Sequence, residues 1–599
     1  MTRVAVALLA VVAALHPMPY RNTELSAQQR ADDLLSRMTL DEKIGQMTQA
    51  DSGALRAGDV ARLRLGSVLS GGSSEAPDIT ARGWRAFVDA FQKEALTTRL
   101  GIPILYGIDA VHGHNNVRGA VIFPHNIGLG ATRNPKLIEE VARITALEVS
   151  ATGMHWTFAP CIAVPQDERW GRTYEGFGES TELANLLGPA AIRGFQGPDM
   201  SRPGRVLATA KHFVGDGGTA LGVDRGNTVG DERTLQQIHM EGYRAAIAAG
   251  VGSIMVSYNS WNDQRMHGHK RLLTDVLRGE LRFDGLLVSD WDGIDALAGD
   301  RAADVEQAIN AGIDMVMVPN SAPEFIAALT RNVADGKVPM SRIDEAVRRI
   351  LVAKFRLGLF ERPFGDASLL DKVGSPEHRA VARQAVRESQ VLLVNRGRAL
   401  PLDPKATHIA VGGKAADDIG LQSGGWTISW QGSRGPTTSG TTVLEAIRRA
   451  APRAKVTHAP DGRVARDATA AVIVIGEEPY AEMKGDRRDL TLDPADVAAV
   501  RNAKAAGVPV VVVLFSGRPL ILEPILDHLD ALVAAWLPGT EGDGIADVLF
   551  GLTHPTGRLS VTWPKSMADV PLNVGRAGEK PAGALFDYGF GLSYDKRQD

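Results

Sequence analysis

Cysteine is almost absent: Cys161 is the only one in 599 residues. That excludes an internal disulfide and any metal site built from several thiolates. Cys161 sits in an apolar stretch, so a buried, inert thiol is expected. Excess charge of either sign is also missing. Against 66 basic side chains stand 70 acidic ones, a formal net charge of −4, whereas a nucleic-acid binder needs a concentrated basic surface. The longest apolar run, residues 4–15, is too short to span a bilayer. Placed after Arg3 and before His16-Pro17, it reads as the core of a signal peptide within residues 1–20, with Val11-Val12-Ala13 as a loose cleavage pattern. The expected destination is export, to a periplasm or the medium. No G-x-x-x-x-G-K-[ST], H-E-x-x-H or G-x-S-x-G pattern occurs, so phosphate-loop, zinc-protease and serine-hydrolase chemistry have no motif behind them. Internal repeats and long low-complexity runs are lacking as well.

What is present is an alternation of short apolar runs with longer helix-like stretches. Strands are expected at residues 65–69, 102–108, 156–164, 206–213, 252–258, 286–289 and 314–318, with amphipathic segments such as 135–151, 235–249 and 302–311 between them. Strand-then-helix order implies a mainly parallel sheet with helices outside. Seven or eight units within residues 21–360 fit a (β/α)8 TIM-like barrel, whose chemistry lies where strands end. Those ends are polar. Residues 102–108 run into Asp109, 206–210 into Lys211-His212, 254–257 into Tyr258, and 286–289 into Asp290-Trp291; the stretch after 156–164 carries Arg172. A carboxylate beside Trp, without Cys or His ligands nearby, suggests sugar chemistry more than metal chemistry. The competing reading is that Asp290 caps the next helix.

Residues 361–380, with Pro363, Gly365, Gly374 and Pro376, read as a linker. Beyond it, residues 381–572 form a smaller layered α/β sandwich, with strands expected at 391–394, 409–411, 470–475, 508–514, 531–535 and 558–561, and a tail at 573–599. Two loops of this domain are unusual. GGWTISWQG (424–432) has two Trp among glycines and outside any helix, where no core requires them. The strand at 470–475 ends in an acidic loop containing Glu477, Glu478 and Glu482.

Eight stretches together resemble glycoside hydrolase family 3, in its two-domain β-glucan exohydrolase and β-glucosidase form. They are YGIDAVHGHNN (106–116), RWGRTYEGFGE (169–179), KHFVGDGGT (211–219), MVSYNSWN (255–262), GLLVSDWDG (285–293), GGWTISWQG (424–432), GEEPYAEMKGD (476–486) and AAWLPGTEGDG (534–544). The resemblance implies Asp290 as nucleophile and Glu482, from the second domain, as acid/base. It implies Asp109, Arg172, Lys211, His212 and Tyr258 as contacts to the terminal sugar, and Trp291 and Trp430 as a clamp on the next one. Ala296 stands where plant exohydrolases carry Arg. The substrates implied are β-glucan oligosaccharides or β-glucosides, with no cofactor or metal; a β-xylosidase or β-N-acetylglucosaminidase of the same family is the alternative, and a non-catalytic carbohydrate-binding protein the remote one. A retaining mechanism needs Asp290 ionised, and the positive charges of Lys211 and Arg172 are expected to lower its pKa.

Overall fold

The computed structural model describes residues 18–71, 74–574 and 581–594; the expected signal-peptide run at 4–15 lies outside them. Tyr20, inside the segment assigned to that signal, is buried and packs edge-on against Phe360 at 6.3 Å. It therefore belongs to the folded body.

Eight parallel strands close a barrel: β1 Thr48–Asp51, β2 Ser67–Ser70, β3 Leu105–Ile108, β4 Trp156–Thr157, β5 Thr209–Phe213, β6 Ser253–Val256, β7 Leu286–Val288 and β8 Val316–Met317. β8, β1, β2, β3 and β4 pair in that order, as do β5, β6 and β7. Parallel bridges Trp156↔Leu207 and Val288↔Met315 join the two runs at both edges, which leaves no free edge. β1 has no counterpart among the expected strands. Its sequence TQAD lacks an apolar run, yet all four residues are buried. Most of their polar groups find partners there: Thr48 Oγ1 donates to Ile44 O at 2.8 Å and Gln49 Nε2 to Ser67 Oγ at 2.7 Å, while Gln49 Oε1 has none. The strand expected at 156–164 shrinks to Trp156–Thr157 because Pro160 and Pro165 offer no N–H to a ladder.

The outer helices follow from capping and periodicity. Helix Pro135–Ala151 starts behind Asn134, whose side chain accepts from Leu137 N, with Pro in the first turn. Leu137, Ile138, Val141, Ile144 and Val149 form its buried stripe, each contributing about 1.5–3 kcal/mol. One buried group opposes folding. Lys354 has no exposed surface and one partner, Gln46 Oε1 at 2.5 Å, and burial holds its pKa well below the ordinary lysine value. Between the lowered folded-state pKa and the ordinary value, the unfolded chain binds a proton that the folded chain does not, so stability rises with pH toward about 10.4. Lys354→Met is expected to raise the melting temperature at pH 7, less the loss of the Gln46 hydrogen bond, with the gain shrinking toward pH 10. Scanning calorimetry across that range checks it; a lower midpoint at pH 7 would contradict it.

Helix Pro376–Ser389 connects the two bodies: His378 Nδ1 lies 2.7 Å from Glu148 of the barrel, while Arg383 and Arg387 each reach Asp547 at 2.6 Å. The second body contains strands β9 Val391–Asn395, β10 His408–Gly412, β11 Lys455–Ala459, β12 Ala470–Gly476, β13 Val510–Phe515 and β14 Ala531–Trp536. They are ordered β9-β14-β13-β12-β10-β11, with β9 alone antiparallel. Alternate residues feed two cores. Ala471, Ile473 and Ile475 share one with Ile127, Ala131 and Tyr174 of the barrel body, while Ala470, Val472 and Val474 face the other. The sheet is thus covered on both faces, and its apolar runs are continuous for that reason. The edge strand β11, KVTHA, escapes prediction because it is polar and partly exposed. Residues 558–561 are not a strand: their backbone bonds are divided between the barrel body, Arg558 N to Ala131 O at 3.0 Å and Glu179 N to Ser560 O at 3.1 Å, and the tail, Leu559 N to Phe590 O at 2.8 Å. Farther on, Trp563–Pro564 pairs antiparallel with Ala584–Phe586. Among the described residues no helix is long and apolar enough to cross a membrane.

Candidate active site

A cavity of about 270 Å³ opens at the carboxyl ends of the barrel strands. Its apolar floor is Leu69, Met255 and Met317, from β2, β6 and β8, with Phe158 just past β4. Asp109, Arg172, Lys211, His212, Asp290 and Trp291 from the barrel line it, and Trp430 and Glu482 arrive from the second body. Tyr258, expected to touch a sugar, is not part of the wall. The Arg225 guanidinium lies over its ring at 4.0 Å and occupies the space between. A larger recess of about 1210 Å³, lined by residues including Arg30, Arg202 and Glu361, lies elsewhere. It sits among the loops that precede the strands, the end of a barrel that serves stability rather than chemistry.

Each barrel group is held from behind. Lys211, from β5, donates to Asp109 Oδ1 at 2.6 Å. His212 is kept neutral chiefly by burial, reinforced by the positive charges of Arg172 and Lys211. Arg172 Nη2 approaches its Nε2 at 3.1 Å, and a guanidinium can only donate, so the ring hydrogen sits on Nδ1 and donates to Asp216 at 2.8 Å. The 3.8 Å approach of His212 Nε2 to Asp290 Oδ2 is therefore not an ion pair. Arg172 also grips Glu175 through two hydrogen bonds of 2.9 and 2.8 Å.

Asp290 lies two residues past β7 and is not a helix cap; the following 3-10 turn Gly293–Ala296 begins behind Asp292. Its Oδ1 accepts from Trp291 N at 2.7 Å, and its own N–H donates to His267 Nε2 at 3.0 Å. Burial pushes the His267 pKa to about 3, so the ring is a neutral acceptor. The expectation that nearby cations lower the Asp290 pKa is overturned: it is raised to about 6. Burial is the largest cause and the charge of Glu482 the second; Arg172 and Arg225 act the other way without offsetting them. Lys211 is committed to Asp109 instead.

The second body reaches over this mouth through two loops. Glu482 opens the 3-10 turn Glu482–Gly485 with a left-handed φ of +51°. A Cβ on Gly171 would lie 2.0 Å from Glu482 O, so only glycine lets the barrel loop pass there. The loop carrying Trp430 is anchored by Ile428 N to Asn115 O at 2.8 Å, and Trp426 Nε1 donates to Glu175 Oε1 at 3.1 Å. Arg172 reaches from His212, which borders Asp290, to Glu482, its Nη1 lying 3.4 Å from Glu482 Oε1.

Several wall residues escaped sequence reasoning. Arg225 sits in a loop with no periodic neighbour, and Met255, Met317 and Leu69 are indistinguishable from core residues in their strands. Trp426 had a signal, as the first Trp of GGWTISWQG.

Family models match both bodies: "Glycosyl hydrolase family 3 N terminal domain" over residues 39–353 and "Glycosyl hydrolase family 3 C-terminal domain" over residues 390–594. A lysosomal beta glucosidase of Dictyostelium discoideum is 36% identical, over 94% of this chain and 75% of its own length. A periplasmic beta-glucosidase of Salmonella typhimurium is 32% identical, over 98% and 83%. Among solved structures, an exo-1,3/1,4-beta-glucanase from a Pseudoalteromonas species superposes with a TM-score of 0.91 at 41% identity, covering 95% of this chain and 74% of that one. The chain belongs to glycosyl hydrolase family 3.

Proposed function

We propose that this chain is an exo-acting, retaining β-glucosidase that removes non-reducing terminal β-D-glucosyl residues from β-glucans and β-glucosides. The observation that carries the reading is that two carboxylates from different bodies, Asp290 and Glu482, line a small cavity with an apolar floor. At about 270 Å³ it falls below the roughly 300–1,000 Å³ typical of drug-sized pockets. A single terminal sugar suits that space, and an internal chain segment does not.

Asp290 attacks the anomeric carbon as Glu482 protonates the leaving oxygen, forming a glucosyl–Asp290 ester. Glu482 then takes a proton from water, whose oxygen displaces Asp290, and two inversions retain the configuration. Arg172 and Lys211 supply donors for sugar hydroxyls, and Asp109 supplies acceptors; a sugar lacking a matching hydroxyl leaves a buried group unpaired. Trp291 and Trp430, both half-buried at the mouth, offer faces to the next sugar. The same reading assigns the nucleophile to residues 21–360 and the acid to residues 381–572, across a connection at 361–380. Export is supported by the apolar run at 4–15 and by the periplasmic relative.

Proton NMR of the early products from laminari- and cello-oligosaccharides tests the reading. β-Glucose, released one unit at a time, is expected first. Initial α-glucose would overturn retention, and mid-chain products would overturn exo action.

A further inference from the structure

Arg225 lies in the hairpin between Thr219 and Thr228, which bridge each other antiparallel after β5. Its Nη2 donates to Glu482 Oε2 at 2.9 Å, while Glu482 Oε1 faces Arg172 Nη1 at 3.4 Å. The two guanidinia differ. Arg172 is buried and already bound to Glu175 and His212. Arg225 keeps a one-third exposed side chain, its Nε is buried without a partner, and the Asp224 carboxylate is 3.9 Å away. Glu482 is thus its one close anionic partner.

The hairpin is built to hold that contact. Arg225 has a left-handed φ of +60°. Arg265 Nη1 donates both to its carbonyl at 2.8 Å and to Tyr258 O at 3.0 Å, and the Tyr258 ring supports the guanidinium from below. Next to it, Asp224 N donates to Asp486 Oδ2 at 2.8 Å, so the hairpin also grips the far end of the turn that carries Glu482. A glutamate at the start of a short turn has several rotamers to lose. One guanidinium on each oxygen selects one of them, and charge-assisted bonds are directional enough to keep it.

We propose that Arg225 is a positioning residue that aims the Glu482 carboxyl at the leaving-group oxygen, so the barrel sets the geometry of the group the second body supplies. This rests on Glu482 being the acid/base.

The test compares Arg225→Met, which keeps the stem over Tyr258, with Arg225→Lys, in the full chain. For laminaribiose, kcat/KM is expected to fall about 10–100-fold in Arg225→Met, a fraction of a full general-acid effect, and to recover in part in Arg225→Lys. For 2,4-dinitrophenyl glucoside, whose leaving group needs no proton, kcat/KM should fall by about threefold at most. Sodium azide should restore kcat on that substrate: its terminal nitrogen displaces Asp290 from the glycosyl ester, giving β-glucosyl azide and a free carboxylate. Equal losses on both substrates would mean a merely structural role and overturn the proposal. A loss on laminaribiose without azide rescue would make Arg225 a leaving-sugar contact and overturn it too, as would parental kinetics. Glu482→Ala is the control: if it gives no azide adduct the acid/base reading itself fails, whereas an adduct there and none in Arg225→Met sinks the Arg225 proposal alone.

Discussion

Asp290→Asn is expected to lower turnover of every glucoside by about 10⁴-fold or more, because no other carboxylate of the site can form the ester. A 2-deoxy-2-fluoro-glucosyl donor should label the parent chain at Asp290 and leave the variant unlabelled, as read by intact mass and peptide mapping. Labelling of the variant would remove Asp290 from the nucleophile role. The same substitution should stabilise the protein. The Asp290 pKa in the folded state is about 6, against about 3.9 in an unfolded chain. The folded state therefore holds the extra proton between these values, and stability falls as pH rises through that window. Above it, burying the charge costs on the order of 3 kcal/mol. Asparagine carries no such charge, so its melting temperature should exceed the parent's at pH 7.5, with the gap narrowing below pH 6 and closing below about pH 4. In the parent, kcat/KM should fall on the acid side near pH 6 as the nucleophile takes up its proton. An acid limb near pH 4 would show that the cations prevail over burial after all.

Glu482→Ala should divide substrates by leaving group. Laminaribiose, whose leaving alkoxide must be protonated, should lose about 10²–10⁴-fold in kcat/KM, while 2,4-dinitrophenyl glucoside should keep most of its value. With the dinitrophenyl substrate, kcat should drop because water attack on the ester has lost its base, and azide should bring it back. The isosteric Glu482→Gln separates chemistry from packing, since it keeps a group facing Arg225 and Arg172. A uniform loss on both substrates, matched by a fall in melting temperature, would make Glu482 a docking residue.

The expected site residues differ in how they could be read. Asp109, Lys211, His212 and Asp290 follow apolar runs that end abruptly, and a parallel barrel converts those sequence edges into one rim. Tyr258 follows the same rule and still misses the wall, since its exclusion depends on Arg225, a residue from a different loop. β1 was illegible because its buried side chains are polar, and hydrogen bonds such as those of Thr48 and Gln49 Nε2 replace the apolar signal that periodicity detects. The stretch 558–561 reads as a strand because Leu559 and Val561 alternate with polar residues, but its backbone partners are divided between the barrel body and residues 589–590.

Local sequence determined the elements: where apolar runs stop, which residues cap helices, that cysteine chemistry is out of reach, and which acids and tryptophans stand at loop starts. Tertiary structure alone decided which of these meet. Asp290 and Glu482 face each other only because the second body docks over the barrel mouth, through Gly171 on one side and the Trp426 loop on the other. The charge state of Asp290 was decided there too. Sequence lists the neighbouring cations, but desolvation depends on how much water the fold removes, and here it outweighs them.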